Sequence, residues 1–199
     1  MKCIKGLLLS ETTMITRSNS PINLFLSHAW DIDLQGRSTH QRAKMLNNGL
    51  KKLGWKLWFD EEKLLLGSNI DAEMARGIER SDAICLCITK KYIEKINSQL
   101  PGDNCAKEFN LSLVSGKRIL PLIFEREMLD IQNWPRGVAQ MYLAHTFYVD
   151  CTGDIQCALT KLSQMLSLIG LTPSRTYRPE ILHPPSRSRS GNIRTCIRI

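Results

Sequence analysis

The chain has 199 residues, 43% of them hydrophobic, enough to bury one ordinary core and leave tails. No apolar run approaches the ~18 residues that a membrane-spanning helix requires. The stretch Gly6-Leu7-Leu8-Leu9 behind Lys2 and Lys5 is also shorter than the roughly 7–15 residues of a signal-peptide core, so the expected compartment is the cytoplasm.

The seven cysteines (3, 85, 87, 105, 151, 157 and 196) are odd in number and scattered, and no pair has zinc spacing. Reduced thiols and no metal are expected. The net charge of +8 is uneven: residues 172–199 hold six arginines against Glu180, a net +5, and the remaining 171 residues carry +3. A body so mildly basic is not a nucleic-acid binder on charge grounds. The tail is the basic element.

Residues 1–20 are polar and mixed, end before Pro21, and read as a flexible leader. The stretch 22–27 is a short apolar strand. After a polar loop, Ser38 or Thr39 caps a helix in which Ala43, Leu46, Leu50 and Leu53 recur at three- and four-residue spacing. Gly54 closes it where a left-handed residue is wanted. Residues 55–59 form an aromatic strand that places Trp55 and Trp58 on opposite faces. Ser68-x-x-Asp71 resembles a capping box, followed by the helical stripe Ile70, Met74 and Ile78.

Residues 83–88 are apolar throughout, as in a parallel strand covered on both faces, with Cys85 and Cys87 on one of them. A helix over 106–115 turns Ala106, Phe109 and Leu113 inward and closes at Gly116. The strand 118–124 contains Pro121, which lacks a ladder donor and so belongs at a bulge or toward the strand's end. A short strand follows at 146–149. Asp154 then caps a last helix carrying Ile155, Leu159, Leu162, Leu166 and Ile169 inward and ending at Gly170. Beyond 171 the pattern stops. The segment Ser186-Arg187-Ser188-Arg189-Ser190 is low-complexity, either a solvated disordered end or a contact for RNA, acidic lipid or a receptor.

This alternation predicts one α/β domain over 21–171 with right-handed crossovers. The expected architecture is a flavodoxin-like three-layer sandwich, a five-stranded parallel sheet of order 2-1-3-4-5 with helices on both faces. Ligands in such sheets bind at the carboxyl ends of the strands where the order reverses, here the rim after Ser27, Asp60 and Ile88. Ser115-Gly116-Lys117 lacks the glycine run of a P-loop, and no G-x-G-x-x-G occurs. His40, His145 and His183 have no partners suggesting a triad or a metal site. Leu64, Leu65 and Leu66 cannot all face one core from a loop, so at least one is expected to contact another copy.

Four features in fixed order carry a resemblance: Phe25-Leu26-Ser27-His28, the run from Trp58-Phe59-Asp60 through Leu64 to Gly67, Ile78-x-x-Ser81-Asp82-Ala83, and Cys105-x-x-Glu108. Together they resemble the TIR (Toll/interleukin-1 receptor) domain family over about 22–169. That family contains interaction modules and NAD+-cleaving enzymes. The resemblance implies a catalytic carboxylate at Glu108 and a substrate site lined by Ser27, His28, Asp60, Lys63, Gly67, Asn104 and Cys105. It also implies a self-association loop at Leu64, Leu65 and Leu66, with NAD+ a substrate and no cofactor held. The partners implied are the chain itself and other TIR domains.

The chemistry is self-consistent. The transition state for loss of nicotinamide resembles an oxocarbenium ion, and the leaving group departs neutral, so one carboxylate suffices. Read by position alone, Glu108 is also a plausible solvated acid in a helix's first turn, Asp60 a turn residue, Lys63 a solvated cation and His28 a surface histidine. The chain departs from the family at Asn104, where a tryptophan is common. Tyr92 or Trp30 could take over its packing on a ligand. The rival reading is a non-catalytic TIR scaffold in signal transduction.

Overall fold

A computed structural model describes residues 23–59 and 69–173. The leader at 1–20, Asp60, the loop with Lys63, Leu64, Leu65, Leu66, Gly67 and Ser68, and the arginine-rich end lie outside the described residues.

Five strands, β1 (Asn23–Ser27), β2 (Lys56–Trp58), β3 (Ala83–Ile88), β4 (Arg118–Ile123) and β5 (Val149–Asp150), make one parallel sheet in the order β2-β1-β3-β4-β5. This is the predicted topology. Among the described residues six α-helices pack on it: α1 (Thr39–Lys52), α2 (Ile70–Glu79), α3 (Lys90–Ser98), α4 (Asn104–Val114), α5 (Val138–Leu143) and, after the last strand, α6 (Ile155–Leu168). Alternate residues of each strand face opposite layers. Leu24, Leu26, Cys85, Cys87, Leu120 and Leu122 pack beneath Ala43, Leu46 and Leu50 of α1 and Leu159, Leu162 and Leu166 of α6. Phe25, Ile84, Leu86, Ile88 and Ile123 pack on the other face, against α2 to α5. The helix ends come out as read, with Gly54, Gly116 and Gly170 at φ of +85°, +60° and +79°.

Several boundaries differ from the sequence reading. The cap of α2 is Asn69, whose side chain accepts from the Ala72 N–H, in place of Ser68. Helix α4 begins two residues earlier than 106, because Asp103 accepts from the Ala106 N–H and fixes the first turn there. The last strand is Val149–Asp150, not 146–149: Thr146 instead turns its hydroxyl to the Leu143 carbonyl, and Phe147 is exposed. Pro121 sits within β4 opposite Leu86 with the register unbroken, neither at a bulge nor at the end. The Ile123 carbonyl accepts from Cys151 on the β5 side, so Pro121, two residues earlier, turns its missing donor toward the same side. There β5 has not yet begun to pair.

Candidate functional site

The site begins where β1 ends. Ser27 is 1% exposed, and its Oγ donates to Oε2 of Glu108. The same Oγ lies 2.6 Å from the hydroxyl of Tyr92, itself fully buried. A serine hydroxyl has one proton. Since Ser27 gives it to Glu108, Tyr92 must be the donor to Ser27. The three side chains form a directed relay of hydrogen bonds ending on the carboxylate. Burial, followed by the fields of Cys105 and Glu108, pushes the Tyr92 hydroxyl well above its ordinary value, so it keeps its proton.

Helix geometry aims Glu108. It is the fifth residue of α4 and 7% exposed, so it is neither in the first turn nor solvated. Cys105 and Glu108, three apart, share the helix face turned to the sheet. The Cys105 Sγ points to the His28 carbonyl at 3.6 Å. Burial, then the neighbouring Glu108 and Asp103, raises the Cys105 thiol above its usual range and favours the neutral thiol. Asn104, four residues before Glu108 on the same helix, is exposed at the helix start.

A second group adjoins the first. His28 is buried, and its Nε2 is 2.8 Å from Nδ1 of His40. His40 therefore has a partner after all, in a paired arrangement and not a triad. Both imidazoles stack on Phe59, at 5.2 Å and 5.7 Å between centroids. Phe59 is the last described residue before the loop that holds Asp60 and Lys63.

The loop after β1 is braced from behind. Arg42 donates to the carbonyls of Phe124 and Cys151 and to Asp33. Arg37 adds contacts to Asp33, Thr152 and Phe124. Glu125, 1% exposed, accepts from the Leu34 and Lys90 N–H groups. These contacts tie the loop to the carboxyl ends of β3, β4 and β5.

Of the sequence-derived candidates, the structure brings together Ser27, His28, Cys105 and Glu108, with Asn104 at the edge. Asp60, Lys63, Gly67, Leu64, Leu65 and Leu66 are outside the described residues. Tyr92 is no ligand-facing ring, because its side chain is buried under Ser27. Asp31 was not anticipated. Its Oδ1 is buried with no hydrogen-bond partner among the described residues, and its Oδ2 meets the Thr89 hydroxyl at 3.5 Å. Periodicity offers no signal for such an acceptor. Among the described residues no group of His, Cys, Asp and Glu could hold a metal, and no helix is long and apolar enough to cross a membrane.

Residues 24–166 match the TIR domain family, and the chain belongs to it. Membership carries signalling through TIR–TIR contacts as the family-level role. No curated protein matches the chain.

Proposed function

We propose that the chain is an NAD+ glycohydrolase of the TIR type, releasing nicotinamide and ADP-ribose, linear or cyclic, on self-association. The observation that carries this reading is the Tyr92–Ser27–Glu108 relay at the end of β1. A buried carboxylate fixed by a donor relay is costly as decoration and useful beneath a developing cation. The C1′–N bond of the nicotinamide ribose breaks, its electron pair leaving with neutral nicotinamide. Glu108 faces the positive charge left on the ribose. Water then adds at C1′ and loses a proton, giving ADP-ribose, or a nitrogen of the adenine adds and closes the cyclic product.

Ser27 and Tyr92 position the carboxylate. Asn104 and His28 border the substrate, and the Asp31 acceptor suits a ribose hydroxyl. Asp60, Lys63 and Gly67 contribute to substrate binding in this reading, and Leu64, Leu65 and Leu66 to the contact between copies. NAD+ is consumed as substrate, and the arginine-rich end takes no part in the reaction.

The test is nicotinamide release from NAD+ at high protein concentration, with Glu108→Gln and Glu108→Ala beside the wild type. Both variants are expected to lose turnover by about a hundredfold or more, with assembly by light scattering unchanged. Assembly with no turnover in any of the three would make the chain a TIR scaffold, consistent with the polar residue at Asn104.

A further inference from the structure

Four tryptophans are present, and three are accounted for by packing. Trp55 and Trp134 are 3% and 6% exposed, and Trp58 lies flat on Phe25 with ring centroids 4.3 Å apart. Trp30 differs, being 64% exposed. Yet it does not dangle. Its ring stacks on His40 at 3.7 Å and 20°, His40 is held by His28 at 2.8 Å, and both imidazoles rest on buried Phe59. An indole backed by a column of plates on one face, with most of its surface in solvent, is costly to display and already ordered.

Its location narrows the use. Trp30 lies three residues beyond Ser27, in the braced loop at the carboxyl rim where the strand order reverses. The exposed aromatics Phe147 and Tyr148 immediately precede β5 and so belong to the opposite rim. Near Glu108, Asn104 at the start of α4 has no ring to offer and the Tyr92 ring is buried.

We infer that Trp30 is a base-stacking platform, presenting its indole to an aromatic ring of a nucleotide bound at the rim. The inference rests on the nucleotide-cleaving reading for its ligand class, but binding and cleavage are measured separately. A ring stacked on a rigid plane pays little ordering entropy on binding, and dispersion in an offset stack favours any planar base.

Because Trp30 is the exposed indole of the four, its emission reports the platform directly. The probes are AMP, nicotinamide mononucleotide and NAD+, added to wild type, Trp30→Leu and Trp30→Phe with excitation selective for tryptophan. Quenching should saturate in the wild type and vanish in Trp30→Leu. The KM for NAD+ should rise roughly ten- to a hundredfold in Trp30→Leu, more than kcat falls, and Trp30→Phe should recover part of it. Whichever mononucleotide quenches identifies the half that stacks. Nucleotide quenching in a protein that releases no nicotinamide supports the platform and defeats the enzymatic reading. Turnover without quenching, with KM unmoved in Trp30→Leu, overturns the platform and leaves that reading standing. Emission that changes with protein concentration alone, and not with nucleotide, assigns the indole to a second copy and overturns it as well.

Discussion

The Ser27 hydroxyl is the pivot of the site, because two buried polar groups depend on its one oxygen. Ser27→Ala strands the Tyr92 hydroxyl and takes one hydrogen bond from Oε2 of Glu108, and a buried group left unpaired costs about 1–3 kcal/mol. Tyr92→Phe removes a donor and its need together, so it should cost less. The double variant should therefore be more stable than Ser27→Ala alone, by about 1 kcal/mol. Urea midpoints for the four proteins check this, and additive losses would show that the relay is not shared. The sequence showed half of this relay. Glu108, Cys105, Ser27 and His28 are legible because they lie at fixed places in ordered motifs. The pairings of Tyr92 with Ser27 and of His40 with His28 are not, since they join residues 65 and 12 positions apart through folding alone.

Among the elements, the central strands β1 and β3 are the easiest to read, because a parallel strand covered on both faces must be apolar in both phases. Helices α3 and α5 were missed for a physical reason. Thr89 ends β3 and caps α3 in one step, so no turn residue separates the two. Helix α5 has only 6 residues, too few to show a period. The contact between β2 and α2 is sharper than any pattern suggests. A Cβ on Gly77 would lie 2.7 Å from Nε1 of Trp58, whose ring is pinned against Phe25 at an interplanar angle of 8°. Gly77→Ala should gain about 1 kcal/mol of helix propensity and still be net destabilising, by about 1–3 kcal/mol, because the indole must leave its stack on Phe25 to make room. Combining it with Trp58→Leu should reverse the sign of the change at residue 77, measured as the shift in denaturant midpoint. The strain would also reach Phe59, one residue beyond Trp58, and through it the column under Trp30.

At the scale of the whole molecule, the sheet is lined with thiols that resist ionisation. Burial pushes Cys85 and Cys151 up to about 12, and Cys87 is raised well above its ordinary value by the same burial. A folded value above the unfolded one gives stability that is full below the unfolded thiol value, about 8.5, and is lost as pH climbs toward the folded value. Stability should therefore fall steadily above about pH 9. Cys85→Ala and Cys151→Ala, though weaker at neutral pH, should each lose less over that range in unfolding titrations. A flat alkaline limb in the wild type would contradict the assignment. The same burial turns the cysteines into reporters of native-state breathing. A thiol reagent meets exposed Cys157 at once, but it reaches Cys85 only when the sheet itself opens, and Cys105 when α4 lifts from β1. The ratio of the two slow labelling rates therefore states whether the rim around Glu108 opens as a unit of its own or only with the whole fold.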